Sequence, residues 1–232
     1  MSYIPSMAPL RAAVDIVIFA VTRGKLRVLL IKRGVPPFEG RWALPGGFLR
    51  DGEGLEGAAR RELREETGVD AAFLEQLFTF GEPKRDPRGR VLAVAYFALL
   101  SPEAAAAARP AAGGDAAEAE WFDAHEPPAL AFDHPAILDY ALQRLRWKLD
   151  WSTAGFGLVP KRFTLTELQK VFEAVLGRKI DKRNFRRKVL ALEVLKATKE
   201  QREEGLPRPA RLYEFSADKF ERLRERGVLF PF

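Results

Sequence analysis

The chain has 232 residues, a formal net charge of +6 and 47% hydrophobic residues, which is typical of one or two globular domains and excludes disordered and collagen-like chains. No apolar run approaches the roughly 18 residues that span a membrane, and the first residues lack the basic-then-apolar pattern of a signal peptide. With no cysteine and two histidines, disulfides, thiolate metal sites and histidine-rich metal sites are excluded, and we expect a cytoplasmic protein without a membrane partner.

The positive charge is concentrated in the C-terminal third of the chain. Residues 1–149 carry 19 Lys and Arg against 20 Asp and Glu, whereas residues 150–232 carry 19 against 12. Within residues 178–188, seven basic residues stand beside one acidic residue. On charge alone, this cluster suits either a phosphate-binding surface or a solvated helix face.

Hydrophobic patterning predicts a mixture of strands and helices in the first two thirds of the chain. Segments rich in Val, Ile and Leu predict strands at residues 12–20, 26–32, 73–80 and 91–100. A helix is predicted at residues 55–67, closed by Gly68, and an amphipathic helix at residues 135–149. The alanine-rich segment 104–119 is predicted to be a loose surface connection.

A domain boundary is expected near residues 150–162. Three glycine or proline residues fall there, and the charge balance changes at the same place. We therefore expect one domain at residues 1–150 and a second, basic domain at residues 151–232.

The helix predicted at residues 55–67 carries a cluster of carboxylates. Glu62, Glu65 and Glu66 stand at positions i, i+3 and i+4, so their side chains project from one face. Like charges so placed repel each other, but a hard divalent cation favours carboxylate oxygens together with substrate phosphates. Arg61 could orient one carboxylate, and Glu53 could pair with Arg61. The alternative is an exposed helix with incidental ion pairs.

The spacing around this helix resembles the Nudix box. The nine matching positions run from Gly47 to Val69 as Gly, five residues, Glu, seven residues, Arg-Glu-Leu, one residue, Glu-Glu, one residue and Gly-Val. The resemblance implies a mixed sheet flanked by helices and hydrolysis of a nucleoside diphosphate linked to another group. It also implies Mg²⁺ or Mn²⁺ ligation by Glu62, Glu65 and Glu66, with Glu53 and Arg61 completing the catalytic set. The metal would neutralise diphosphate charge and lower the pKa of a bound water.

A turn rich in proline and arginine follows the strand predicted at residues 73–80. Its guanidinium groups suit phosphate or ribose recognition, although such a turn is more often a solvated loop. The string Arg-Asp-Pro-Arg-Gly-Arg from residue 85 looks like the corresponding loop of Nudix proteins that bind ADP-ribose. We therefore expect ADP-ribose, or a related nucleoside diphosphate, to bind at Gly46, Gly47, Arg85, Asp86 and Arg88.

Aromatic residues flank the glycines of this region. Phe38, Trp42 or Phe48 could stack on an adenine, although a place in the core explains them at least as well. His134, which precedes the helix predicted at residues 135–149, is expected to be a capping or packing residue rather than a general base.

The basic domain shows the pattern of a helix-turn-helix. Two amphipathic segments, residues 163–177 and 181–192, are separated by a short turn that contains glycine, and the second segment is basic. Thr166 and Asp181 are expected to cap the two helices. Residues 194–197 and 211–215 could pair as strands around a polar loop that contacts backbone phosphates. The expected DNA contacts are Thr164, Thr166, Lys182, Arg183, Asn184, Arg186, Arg187, Lys188, Arg208 and Arg211.

Three strings in this domain look like the winged-helix part of the Nudix-related transcriptional regulators, the NrtR family. They are Phe163–Gln169, Asp181–Lys188 and Arg208–Tyr213. The resemblance implies an α+β protein in which an N-terminal Nudix α/β/α sandwich with a mixed sheet precedes a winged helix-turn-helix domain. It implies that the first half senses ADP-ribose and the second binds a double-stranded DNA operator as a homodimer, commonly at NAD-metabolism genes. The complete box departs from many such regulators, whose box is degraded.

Two functions follow from these patterns. The first is an ADP-ribose-responsive regulator, expected to be a repressor. The second is a metabolic Mg²⁺-dependent ADP-ribose diphosphatase with a basic accessory domain, which forms AMP and ribose 5-phosphate. The two can coexist, because slow hydrolysis would remove the signal that the regulator detects.

Overall fold

A computed structural model of the chain describes residues 9–68, 73–108, 116–151, 154–202 and 209–220. The strands of its N-terminal part are β1 (Arg11–Thr22), β2 (Lys25–Arg33), β3 (Trp42–Ala43), β4 (Gly46–Phe48), β5 (Phe73–Phe80), β6 (Val91–Leu100) and β7 (Ala116–Asp123). The helices of this part are α1 (Leu55–Thr67), α2 (Pro102–Ala107) and α3 (His134–Trp151). A 3-10 helix (Ala154–Leu158) leads to α4 (Leu165–Leu176), α5 (Lys182–Ala191), β8 (Leu195–Arg202) and β9 (Ala210–Phe215).

The strands and helices predicted in the N-terminal part are confirmed, with one exception. Segment 104–119 is not a loose connection at either end, because α2 covers its first residues and β7 its last. Ser101 caps α2 by accepting a hydrogen bond from the Ala104 amide at 3.2 Å, and the alanines that follow favour a helix. β7 is held as a strand by its antiparallel pairing with β2.

The N-terminal domain is built on a mixed sheet in the order β3-β2-β1-β6-β5, with β4 paired to β1 and β7 to β2. β1 runs parallel to β6 and antiparallel to β2 and β4. Side chains alternate along β1. Ile16 and Ile18 pack with α1 and α2, whereas Val17 and Phe19 pack with α3. Helices therefore cover both faces, which confirms the expected sandwich.

The C-terminal domain is a winged helix. Phe172 of α4 and Phe185 of α5 pack edge to face with ring centroids 5.3 Å apart, and β8 pairs antiparallel with β9. Phe163 joins this sheet, since it exchanges backbone hydrogen bonds of 3.0 and 2.8 Å with Tyr213.

The cap of α4 differs from the expectation. Thr164, not Thr166, is the cap: its hydroxyl accepts a hydrogen bond from the Glu167 amide at 3.1 Å, and the Glu167 carboxylate accepts one from the Thr164 amide at 2.7 Å. The helix starts two residues earlier because the Phe163–Tyr213 pairing fixes the chain just before it. Asp181 caps α5 as expected, accepting from the Asn184 amide at 2.8 Å.

The two domains share one hydrophobic core. A single cluster of buried side chains runs from Val17 of the sheet through Leu145 of α3 to Leu168 of α4 and Phe185 of α5. Polar contacts reinforce it at the last turn of α4, where carbonyl groups lack partners within the helix. The His125 ring Nε2 lies 2.9 Å from the Ala174 carbonyl oxygen, and Arg146 Nε donates to the Val175 carbonyl at 3.3 Å. The helix-turn-helix is thus packed directly against the first domain.

Candidate ligand cavity and nucleic-acid interface

A cavity of about 470 Å³ opens in the N-terminal domain between α1, β4 and the turn that follows β5. Its walls include all the predicted metal ligands and all the predicted effector-binding residues, namely Glu62, Glu65, Glu66, Gly46, Gly47, Arg85, Asp86 and Arg88. Residues separated by up to 42 positions in the sequence thus meet at one site. The predicted roles of these residues stay predictions.

Helix α1 places the carboxylates at the cavity. It begins after Gly54 and ends at Gly68, which has a φ of +70° that favours glycine. Glu62 and Glu66 are each 8% exposed, whereas the side chain of Glu65 is 49% exposed. The helical spacing therefore places three carboxylates at the cavity. Those of Glu62 and Glu66 are buried in its wall, and that of Glu65 lies at the edge that is exposed to solvent.

Arg61 joins the carboxylates of Glu53, Glu62 and Glu65 through its guanidinium. Its Nε and Nη2 donate to the two carboxylate oxygens of Glu53 at 2.7 and 2.9 Å. Its Nη1 donates to Glu62 Oε1 at 2.5 Å and to Glu65 Oε2 at 3.2 Å. The hydrogen bonds from Arg61 lower the pKa of Glu53 to about 2, and the same contacts raise the pKa of Arg61. Glu53 and Arg61 do not themselves line the cavity.

Gly47 makes room for the Glu62 carboxylate. A Cβ atom at position 47 would lie 2.1 Å from Glu62 Oε1, far inside van der Waals contact. Burial raises the pKa of Glu62 above its ordinary value despite the neighbouring guanidinium. Burial disfavours the ionised form of such a carboxylate, and a cation placed beside it would stabilise that form.

The donor chemistry of this wall fits a hard divalent cation. Carboxylate oxygens are the ligands such ions prefer, and Glu62, Glu65 and Glu66 supply them at one face of a helix. Among the residues that the structure describes, no three acidic or histidine side chains are gathered tightly enough to enclose an ion. Glu62 and Glu65 are instead joined through Arg61, so metal binding would require these side chains to exchange partners.

Arg85 lies at the base of the cavity instead of being presented to solvent by its turn. It is 8% exposed, and its guanidinium donates to both carboxylate oxygens of Asp133 at 2.9 and 2.6 Å and to Asp15 at 3.1 Å. Burial opposes its charge, but the two carboxylates outweigh burial and raise the pKa of Arg85. Arg85 therefore ties β1 to the start of α3.

Arg88 and Asp86 form the part of the turn that faces the cavity. Asp86 accepts hydrogen bonds from the Arg88 amide at 2.9 Å and from its guanidinium at 2.7 Å. Burial opposes the negative charge, but these bonds prevail and lower the pKa of Asp86. The Arg88 guanidinium also lies 5.0 Å from the ring centroid of Phe48 and 5.5 Å from that of Phe132. A cation held beside two aromatic rings suits a ligand that carries both phosphate and a base.

The three aromatic residues considered for adenine stacking have different surroundings in the structure. Phe48 lines the cavity, whereas Trp42 packs edge to face on Phe122 at 4.6 Å and Phe38 on Phe132 at 4.8 Å. Sequence reasoning missed Phe132, which lines the cavity and has a φ of +51°. Its place immediately before Asp133 and His134 is a signal that could have pointed to it.

His134 is buried in the wall of the cavity, where its packing agrees with the expected packing role. It is 4% exposed, and its Nδ1 accepts a hydrogen bond from the Leu44 amide at 2.9 Å. Its Nε2 lies 3.7 Å from Asp15 Oδ1. Burial lowers the pKa of His134, so the ring is neutral. The ring thereby fixes the backbone that leads into β4.

The predicted DNA-contacting residues lie mostly on the outer side of α5. Lys182, Arg183 and Arg187 are exposed, Asn184, Arg186 and Lys188 are half-buried, and Arg211 is exposed on β9. Arg186 Nη2 donates to the Thr166 hydroxyl at 3.1 Å, which links α5 to α4. Thr164 is buried and its hydroxyl caps α4, so little of it is left for DNA. Arg208 lies outside the described residues.

In the part of the chain that the structure describes, no helix is long and apolar enough to cross a membrane.

Two family descriptions match the chain, one for each domain. Residues 9–145 match the NUDIX domain, and residues 155–215 match the NrtR DNA-binding winged helix domain. These matches agree with the two halves seen in the fold.

Two individual proteins are similar to this chain over both of its domains. The ADPR responsive transcriptional repressor NtrR of Acinetobacter baylyi is 38% identical over 94% of this chain and 87% of its own length. A crystal structure of Shewanella oneidensis NrtR complexed with a 27mer DNA is 36% identical, covers 90% of this chain and 95% of that one, and superposes with a TM-score of 0.78.

The N-terminal domain also has an enzyme among its relatives. The ADP-ribose pyrophosphatase of Methanocaldococcus jannaschii is 44% identical over 53% of this chain and 68% of its own length. The Nudix domain of this chain is therefore of a type shared by hydrolases and regulators. Because the similarity to a repressor extends over both domains, the chain belongs to the NrtR family, whose members join a Nudix domain to a winged helix that binds DNA.

Proposed function

We propose that this chain is a cytoplasmic transcriptional repressor whose operator affinity depends on ADP-ribose. Residues 1–150 would bind the ligand and residues 151–232 the operator, with two copies of the chain on two half-sites. The observation that carries the proposal is the continuous core, which joins a phosphate-compatible cavity to a helix-turn-helix in one body. The similar repressor of Acinetobacter baylyi supports the choice of ligand and the direction of regulation.

The cavity has the size and chemistry for a nucleoside diphosphate sugar. Its volume falls within the range of small-molecule sites. Arg88, held by Asp86, would meet negative charge on the ligand, and the ring of Phe48 or Phe132 would stack on its base. Arg85 is saturated by two aspartates, so it would position the walls rather than contact phosphate.

The acidic wall would hold the divalent metal that Nudix hydrolases generally require, here Mg²⁺ or Mn²⁺ on Glu62, Glu65 and Glu66. When bound, the ion would supply charge neutralisation for the diphosphate and an acidified water. Arg61 holds Glu53 and Glu62 in place, and Gly47 keeps the space beside Glu62 open. These residues therefore position the ligands of the ion.

Helix α3 would carry the response to the winged helix. Its first turn is tied to the cavity floor, since Arg85 binds Asp133 and His134 binds Leu44. Its last turns pack on α4 and supply Arg146 to the end of that helix. A ligand that shifts the start of α3 changes operator affinity only if it binds the two resulting states differently.

Fluorescence anisotropy with a labelled duplex from the chain's own upstream region tests this function. The expected result is specific binding that weakens with ADP-ribose but not with an equal concentration of AMP. Arg88→Ala should keep DNA binding and lose the response, while Arg60→Ala, an exposed position on α1, should keep both. Failure of the wild-type chain to bind its upstream duplex at low salt, or binding that ADP-ribose leaves unchanged, would contradict the proposal.

A second candidate function is hydrolysis of ADP-ribose to AMP and ribose 5-phosphate. The complete box favours it, because Glu53, Arg61 and the three wall carboxylates lie together. AMP release with Mg²⁺ should disappear in Glu66→Gln and persist in Glu56→Gln, an exposed position on the same helix. If no AMP forms at any Mg²⁺ or Mn²⁺ concentration, the chain only senses its ligand.

A further inference from the structure

A second concave surface lies where the sensor domain meets the helix-turn-helix. It encloses about 440 Å³ between the β1–β2 turn, the end of α4 and the turn before α5. Four of the residues that line it are basic and one is acidic: Arg23, Lys170, Arg178, Lys179 and Glu173. None of these residues lines the proposed ligand cavity.

The single acid of this surface is occupied within the C-terminal domain. Glu173 accepts hydrogen bonds from the Ile180 amide at 3.0 Å, from Gln169 Nε2 at 3.0 Å and from Lys179 Nζ at 3.1 Å. Its side chain is only 12% exposed. Across the described residues, Arg23, Lys170 and Arg178 form no ion pair with an acidic side chain, and all three are exposed. The surface therefore presents uncompensated positive charge.

Arg23 is held on a rigid support. The pairing of Thr22 with Lys25 leaves only Arg23 and Gly24 in the hairpin turn, and both have positive φ, +51° and +73°. A two-residue turn of this kind fits the twist of the strands that flank it. Lys25 is paired with Asp123 at 2.9 Å, so Arg23 is the cation that the turn offers to a partner.

This charge continues the proposed DNA-binding surface. Arg178 and Lys179 lead through the Asp181 cap to Lys182 and Arg183, at the start of the helix that enters the major groove in a helix-turn-helix. Phosphates flanking the groove would pass the turn before α5. The β1–β2 turn forms the opposite side of the same concavity.

We propose that Arg23, a residue of the sensor domain, contacts a backbone phosphate of the operator beside Arg178. This inference rests on the proposed repressor function and adds to it a direct contact between the sensor domain and DNA. The contact reads no base, because guanidinium groups on phosphates position a protein without sequence information. It adds affinity and makes binding more sensitive to salt.

The test compares Arg23→Ala with wild type in operator binding at several salt concentrations. Loss of one phosphate contact should lower the slope of log K against log salt by about 0.9 per protomer and weaken binding about fivefold per protomer at 0.15 M salt. Preference for operator over unrelated duplex should be unchanged. Arg23→Lys should restore most of the affinity. Arg60→Ala is the control: it also removes one positive charge, but from α1, which packs on the face of the sheet away from α4. It should leave the slope unchanged.

Thermal melting checks that each variant is folded. An unchanged slope for folded Arg23→Ala would overturn the inference, whether or not affinity falls. Absence of duplex binding by the wild-type chain would overturn the proposed function, and this inference with it. Wild-type binding that responds to ADP-ribose, with no effect of Arg23→Ala, would overturn the inference alone.

Discussion

Replacing Arg85 by methionine tests whether the buried ion network holds the cavity floor together. The change keeps most of the side-chain volume but removes the guanidinium that bridges Asp133 and Asp15. Arg85 is 8% exposed, so two carboxylates would be left without a cation in a poorly solvated site. Breaking a buried ion pair by removing one partner costs about 3–5 kcal/mol.

This cost is a large part of the free energy of unfolding, which is about 5–15 kcal/mol for a typical domain. For a protein of this length, it corresponds to a fall in Tm of about 6–20 °C. Chemical denaturation of wild type and Arg85→Met measures it directly. Arg60→Met is the matched control, because its exposed i,i+4 pair with Glu56 should contribute less than about 0.5 kcal/mol.

A second substitution should rescue part of this stability. Adding Asp133→Asn to Arg85→Met removes one of the uncompensated charges and should recover part of the lost stability. A loss below about 1 kcal/mol for Arg85→Met would refute the argument, since it would mean that the network is effectively solvated.

Three more predictions concern the cavity and its link to DNA. Gly47→Ala should force the Glu62 carboxylate to move by about 1.3 Å to reach ordinary contact, so it should weaken Mn²⁺ binding measured by electron paramagnetic resonance and, if the wild-type chain hydrolyses ADP-ribose, abolish AMP release. Burial lowers the pKa of His134 below its ordinary value of 6.5, so the folded protein holds the ring neutral; as the pH falls below that value, the unfolded chain binds a proton that the folded chain resists, and denaturation should show wild type losing more stability than His134→Asn, which can still accept from Leu44. Arg146→Ala should retain operator binding but reduce the effect of ADP-ribose in anisotropy.

Local patterns in the sequence were sufficient for most of the fold. The bounds of β5 and β6 follow from apolar runs ended by turn residues, and α1 follows from its helical spacing and the closing Gly68. The shared face of the α1 carboxylates could also be predicted from the sequence, because positions i, i+3 and i+4 of a helix lie on one face in any tertiary context.

Tertiary contacts account for what the sequence did not reveal. Asp15 lies in the middle of an apolar strand. Its charge is explained by a tertiary contact, because its partner Arg85 lies 70 residues later in the sequence. Arg85 resembled a solvated turn residue for the same reason. The start of α4 depends on the pairing of Phe163 with Tyr213, which no local pattern encodes.

The central claim is that ADP-ribose in the cavity and DNA on the winged helix influence each other through one packed body. Calorimetric titration of ADP-ribose into the free protein and into its complex with operator duplex tests this most directly. Because coupling is reciprocal, ADP-ribose should bind the complex more weakly, by the same factor by which it weakens operator binding. Equal affinities for the free protein and the complex would contradict the claim.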